Sequence, residues 1–305
     1  MLSKGTLPAV VAVGVYLLFD SRQALAWGPG IHIALASDVL SQAALLPASV
    51  AGILTRYALD YLYGNIAADL VFAKRLSRVK QFCHHWSTGF ATLDHARDDR
   101  GLAFAYGYLS HLAADAVAHG KFVPHQIVVS GSTLNFGHLY WEMRADVTVG
   151  PAVWEEVDRV LLGAFHEHHR TLENLLTDTF LPFDANRQMF RGINSLVRRR
   201  SWRRTMASWE RYSRHPLPED LLENYLAEAR ANIIDLLTLM KDSPVLFEDP
   251  NGTASFSYVR AHRRQLRRLK RQGLSPQQRI VEAAASHAPV DRLDGHRSAT
   301  ARPRL

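Results

Sequence analysis

The chain has 305 residues, 47% hydrophobic and 21% charged, which excludes a disordered protein and allows one large core or two modest ones. A single cysteine, Cys83, excludes an intramolecular disulfide, so stability must come from packing and from metals. The formal net charge of +7 divides into +1 over residues 1–26, +9 over residues 260–305 and −3 over the body between them, so the body offers polyanions no general attraction and the basic signal sits in the tail.

In chain order, Lys4, the apolar run Leu7–Phe19 and the A-x-A site Ala24-Leu25-Ala26 read as a signal peptide, residues 1–26. The run is too short to span a bilayer. Cleavage after Ala26 makes Trp27 the new N-terminus and sends the mature protein to the periplasm or the exterior.

From there apolar residues recur at helical spacing with no strand-hairpin pattern, which predicts an all-α protein. Helices are expected at about 32–46, 48–62, 86–96, 100–120, 135–148, 151–178 and 219–241. Breaks are expected at Pro151, Leu181-Pro182-Phe183, Pro216/Pro218 and Pro244/Pro250. Residues 27–255 form the expected helical domain. Residues 256–305 read as a basic, largely disordered tail with a short helix over 256–271, suited to an anionic membrane surface.

Candidate ligands lie along the first half of the mature chain. Gly64-Asn-Ile-Ala-Ala-Asp69 places a carboxylate in a small apolar stretch, and Cys83-His84-His85-Trp86 offers two imidazoles, of which one normally points away from any metal. His111, Asp115 and His119 stand at i, i+4 and i+8, so one helix face carries all three, and the intervening Gly107, Ala113, Ala114, Ala116 and Ala118 let other segments approach. A solvated polar face would show the same spacing. His138 and Glu142 repeat the i, i+4 pairing of imidazole with carboxylate, as a polar stripe on an amphipathic helix also would. His166-Glu-His-His169 is not H-E-x-x-H, because position 170 is Arg, and reads as a solvated helix face. Cys83 reads as a small buried hydrophobe.

Taken together, Trp27-Gly-Pro-Gly-Ile-His32, Gly64-to-Asp69, His85-Trp86, His111-x3-Asp115-x3-His119 and His138-x3-Glu142 follow the order found in the zinc-dependent phospholipase C superfamily, which includes the S1/P1 nucleases. The chain resembles that family over about 27–146. The resemblance implies a multi-helix, phospholipase C/P1 nuclease-like domain with a tri-zinc cluster. It implies that Trp27, through its free amine and carbonyl oxygen, and His32 bind one ion. Asp115 would bridge to a second held by Asp69, His85 and His111, and His119, His138 and Glu142 would hold the third. Asp69 is also the position matching the catalytic base. One spacing departs from the secreted phospholipases C and the nucleases, which have six residues from the bridging aspartate to the next histidine where Asp115 to His119 is four. That spacing is similar to the N-terminal domain of animal glycosylphosphatidylinositol-cleaving phospholipase D. The expected activity is zinc-dependent phosphodiester hydrolysis, first of phospholipid head groups; a nuclease, or a zinc-bearing protein without turnover, are the alternatives.

Overall fold

The computed structural model describes residues 27–70, 83–176 and 215–273, with Gln188, Gly192 and Ser213. The leader at 1–26, the Leu181-Pro182-Phe183 break and residues 274–305 lie outside the described residues.

Among the described residues all regular structure is helical. The helices are α1 (Pro29–Ser41), α2 (Ala48–Arg56), α3 (Ala58–Ala67), α4 (Trp86–Asp94), α5 (Asp99–Val117), α6 (Val123–Ser130), α7 (Leu134–Asp146), α8 (Pro151–Leu162), α9 (His166–Leu175), α10 (Glu219–Leu239) and α11 (Thr253–Arg271). Proline is the first residue of α1 and α8, where its missing N–H costs nothing, and the second of α6, and Pro218 stands just before α10. The segment expected at 48–62 divides at Tyr57, and the one expected at 151–178 divides at Gly163, whose backbone is extended. The division at Gly163 lets α8 and α9 bury separate faces, with Trp154, Val157 and Val160 on one and His168, His169 and Leu172 on the other.

α5 is the central element. From Gly107 to Val117 every residue is buried, so the helix is enclosed on all sides rather than amphipathic. α3, α4 and α10 pack around it, and α10 contributes buried Leu222, Ala229, Ile233, Leu236 and Leu237. Each large aliphatic side chain buried this way is worth about 1.5–3 kcal/mol.

The α3–α5 crossing is backbone against backbone. A Cβ on Gly64 would stand 2.2 Å from the Phe104 carbonyl oxygen, and one on Gly107 would stand 2.0 Å from that of Tyr61. Glycine at both positions is what allows this approach. The crossing carries the end of α3, and with it Asn65 and Asp69, up to the face of α5 that bears His111 and Asp115.

At its C-terminal end α5 does not stop but widens into a π turn, Ala118–Phe122, which leads into α6. Such turns are uncommon and concentrate at functional sites. The boundary expected at 255/256 falls inside α11, whose Phe256 and Val259 are buried. The folded body therefore extends at least to Val259, because the first turns of α11 use their apolar residues as core.

Candidate metal centre

Three groups of buried side chains bring ligand atoms within 4.8 Å of one another: His32, His111 and Asp115; Asp69, His84 and His111; and His119, His138 and Glu142. They come from α1, the turn after α3, the residues before α4, α5, the π turn and α7.

Asp115 lies at the middle. Its Oδ1 is 3.2 Å from His32 Nε2, and its Oδ2 is 3.3 Å from His111 Nε2 and 3.4 Å from His84 Nε2. On the far side, His84 Nε2 is 3.1 Å from Asp69 Oδ1. Both oxygens of Asp115, both ring nitrogens of His32, His111 Nε2 and Asp69 Oδ2 are nevertheless buried with no hydrogen-bond partner among the described residues. Leaving a buried polar atom unsatisfied costs about 1–3 kcal/mol, so this concentration in one place calls for a cause.

Close but misaligned donors and acceptors are what convergence on a shared third atom produces. Two ligands bound to one tetrahedral zinc at 2.0–2.1 Å stand about 3.3–3.4 Å apart, the edge of the tetrahedron. The separations between Asp115 and its three histidines match that edge. Asp115 presents one oxygen to His32 and the other to His84 and His111, the geometry of a bridging carboxylate. The donor set is nitrogen and oxygen from neutral-capable imidazoles and carboxylates, and it fits zinc.

The imidazoles are oriented by groups behind them. His111 Nδ1 is 2.9 Å from the Asn65 carbonyl, which can only accept, so Nδ1 carries a proton and Nε2 is the nitrogen directed at the cluster. His119 Nδ1 meets the Pro250 carbonyl at 2.5 Å and is fixed in the same tautomer. His119 sits in the π turn, and its ring lies edge-on to His138 with centroids 5.1 Å apart. His138 Nε2 is 2.8 Å from Glu142 Oε1 without hydrogen-bond alignment. The helix face expected to carry His111, Asp115 and His119 together thus resolves into two groups: His111 and Asp115 in the first cluster, and His119 with α7.

Trp27 and α1 are tied to this centre at two points. The Trp27 indole N–H donates to the Ala114 carbonyl, next to Asp115, at 3.2 Å, and its ring stacks on Phe122. Asp146, at the end of α7, accepts from Ile31 N at 2.9 Å and so caps an α1 that has no side-chain cap of its own. Gly28 and Gly30 leave room for this carboxylate, since a Cβ on Gly28 would stand 2.3 Å from Asp146 Cγ. Burial pushes the Asp146 carboxyl up to about 7.

Protonation also suits metal. Burial, and the nearby His111, lower His32, while burial and His119 hold His138 well below the ordinary imidazole value, so both present lone pairs at neutral pH. For Asp115, burial opposes ionisation but is outweighed by His111, His32 and His119, leaving the carboxyl well below its usual range. Asp69 is likewise lowered: burial raises it, and His111 and His84 more than compensate. For His111, burial lowers the value but Asp115 and Asp69 lift it to about 9, so Nε2 would give up a proton on binding zinc.

One expected ligand changes. The imidazole brought to Asp69 and Asp115 is that of His84, whereas His85 precedes α4 as its N-cap residue and joins none of the three groups. Opening α4 requires an extended backbone at His85, and adjacent residues in extended chain point opposite ways, so only one of the two rings faces the cluster. The expected solvated face at 166–169 is also corrected: His168 and His169 are buried, and His168 Nε2 is 2.7 Å from Asp60 Oδ1, which Arg100 also engages. Asp60 is the missed partner, placed 108 residues away by the α3–α9 packing. Asp146 and Pro250 were missed as well, since a cap from a distant helix and a carbonyl leave no residue-type signal. Cys83 is buried, and its carbonyl accepts from the Tyr108 hydroxyl at 2.6 Å.

A family model described as zinc dependent phospholipase C matches residues 31–187. No curated protein and no solved structure matches the chain.

Proposed function

The chain belongs to the zinc-dependent phospholipase C family of all-helical, zinc-dependent hydrolases, and from that premise we propose that it hydrolyses the phosphodiesters of phospholipid head groups with three zinc ions. The observation that carries this reading is the set of orphaned, buried ligand atoms spaced at the tetrahedral edge around Asp115. Zinc, when bound, neutralises the non-bridging oxygens of a phosphodiester and acidifies water.

In this reading His32 and Asp115, completed by the amine and carbonyl of Trp27, hold one ion. Asp69, His84, His111 and the other oxygen of Asp115 hold the second, and His119, His138 and Glu142 hold the third. Asp69 is ionised at neutral pH, and the lone pairs of Oδ2 are unclaimed by described residues, so Oδ2 is the atom assigned to accept the proton of the attacking water. The net charge of −3 on the body favours lipid over polynucleotide, which is normally drawn by basic surface.

A membrane partner belongs to the same proposal. α11 contains no acidic residue and exposes Arg260, Arg264, Arg267, Arg268 and Arg271, a face suited to anionic lipid at roughly 1 kcal/mol per residue at most. Export through the leader at 1–26 would deliver the enzyme to such surfaces. No described helix is long and apolar enough to cross a membrane.

The test is parallel turnover of phospholipid dispersions and single-stranded nucleic acid by mature protein with added zinc, alongside Asp69→Asn. Faster hydrolysis of lipid, falling about 100-fold or more in the variant, is expected. Faster hydrolysis of nucleic acid would reassign the protein as a nuclease. Zinc bound without turnover of either would make it a binding protein.

A further inference from the structure

Residues 248–256 lie outside the span that the family model matches, yet they are built onto the metal centre. The segment runs from α10 into α11 and touches both ends of the cluster. The Glu248 carbonyl accepts from the Trp86 indole at 2.9 Å, and Asn251 Nδ2 donates to the His84 carbonyl at 2.7 Å. The Pro250 carbonyl accepts a hydrogen bond from His119 Nδ1. Gly252 has φ +59 and lies flat against His119, where a Cβ would stand 2.2 Å from its carbonyl oxygen and 2.8 Å from its Cβ. Phe256 then stacks on His138, centroids 4.9 Å apart, and meets His119 edge-on at 5.8 Å.

The turn has its own reason to hold this shape. Asp249 accepts from Asn251 N at 2.9 Å through one carboxylate oxygen and from Thr253 N at 2.8 Å through the other, which closes the turn and caps the start of α11. Only a residue without a Cβ both adopts the left-handed backbone at 252 and clears His119. The conformation therefore serves the contact with His119, since a capped turn alone needs no such approach.

We propose that residues 248–256 form a positioning strap for the metal centre: Pro250 fixes His119 with Nε2 directed to the group it shares with His138 and Glu142, Asn251 holds the backbone of His84, and Gly252 permits the close approach. The proposal rests on the metal reading given above. Its ligands are the chain's own histidines, and carbonyls behind metal-binding imidazoles set their tautomer and tune affinity by about 10–100-fold.

Gly131 provides an internal control, because it also has a left-handed backbone, φ +63, but no described residue lies within 4 Å of its missing Cβ. Gly131→Ala carries the backbone penalty alone, whereas Gly252→Ala adds displacement of His119. Zinc per chain and affinity would be measured on full-length protein by competition with a chromophoric chelator, with helicity by circular dichroism and the visible spectrum of the cobalt-substituted protein. The expected result is one zinc held at least tenfold more weakly in Gly252→Ala, with an altered cobalt spectrum, and wild-type binding in Gly131→Ala. Asn251→Ala, which deletes only the hydrogen bond to His84, should weaken binding about tenfold while preserving the fold, and it decides the matter if Gly252→Ala does not fold. Wild-type zinc affinity in folded Gly252→Ala, or in Asn251→Ala, overturns the strap and leaves the proposed function standing. A wild-type protein that binds no zinc overturns both.

Discussion

Gly107→Ala tests whether the α3–α5 crossing is what assembles the centre. The added Cβ would lie 2.0 Å from the Tyr61 carbonyl oxygen, where ordinary contact begins at 3.4 Å, so α3 and α5 must separate by 1.4 Å or distort by an equivalent amount. The neighbour is backbone, not the end of a flexible side chain, so it has no rotamer to give. Helix propensity favours alanine by about 1 kcal/mol, but overpacking of this kind costs about 1–3 kcal/mol or more, and here the shortfall is large. A net loss near 2 kcal/mol lowers Tm by roughly 4–8 °C for a domain of this size. The consequence for the site is sharper. Metal–ligand distances tolerate about 0.2 Å, while α3 and the turn after it carry Asn65 and Asp69 and α5 carries their partner His111, so the second ion should be lost. Gly52→Ala is the matched control, a helical glycine with open space around it, and it should stabilise by about 0.5–1 kcal/mol. Melts with and without chelator separate the packing penalty from lost metal linkage. Wild-type Tm and zinc content in Gly107→Ala would refute the reasoning.

His84→Ala should bind one zinc fewer than wild type whereas His85→Ala keeps the full complement, and metal analysis of the two proteins exposes a reversed assignment directly. Extending the mature N-terminus by Met-Gly turns the Trp27 amine, pKa about 8, into a planar amide with no basic lone pair, so zinc content and phosphodiesterase rate should drop at unchanged helicity; equal zinc and equal rate would remove Trp27 from the ligand set. Burial raises the Asp60 carboxyl, but the hydrogen bonds from His168 and Arg100 outweigh it and the net is a lowered value. A depressed folded pKa supplies stability above the unfolded value near 3.9 that is lost as pH falls through the folded one, so Asp60→Asn should cost about 1–3 kcal/mol at pH 7, with the gap closing below about pH 4. Denaturant melts at pH 7 and pH 3.5 that show the same gap would contradict this.

The sequence made the helices legible because the core-facing stripes of α8 and α10 repeat every three to four residues, and it made the α5 and α7 ligands legible because i, i+4 spacing survives folding unchanged. It was less informative where backbone conformation decides. Between His84 and His85 the choice depends on which residue becomes the extended N-cap of α4, and no residue type signals that. The π turn that carries His119 is equally silent. The pairing of Asp60 with His168, the Asp146 cap on α1 and the Pro250 carbonyl behind His119 are all contacts across more than 100 residues. Each depends on tertiary packing that local patterning does not encode. The basic run after residue 259 misled in one respect, since its charge hid the apolar pair Phe256 and Val259 that roots α11 in the body.

These long-range contacts explain why a chain with one cysteine can keep such a centre. Ligand atoms without a hydrogen-bond partner among the described residues sit on α1, the turn after α3, α5 and α7, segments separated in sequence by up to about 110 residues, and in the absence of metal each such buried atom opposes folding. The helical scaffold must therefore be stable enough to hold them at the tetrahedral edge first, which the enclosed α5 and its glycine crossing achieve through burial. Zinc would then reverse the sign, satisfying the same atoms and cross-linking the same segments much as disulfides do in small secreted domains. Ligation strong enough for catalysis and cross-linking strong enough for stability are in this chain the same interactions. The groups behind the ligands, Asn65, Asp146 and the 248–256 strap, consequently act on both at once.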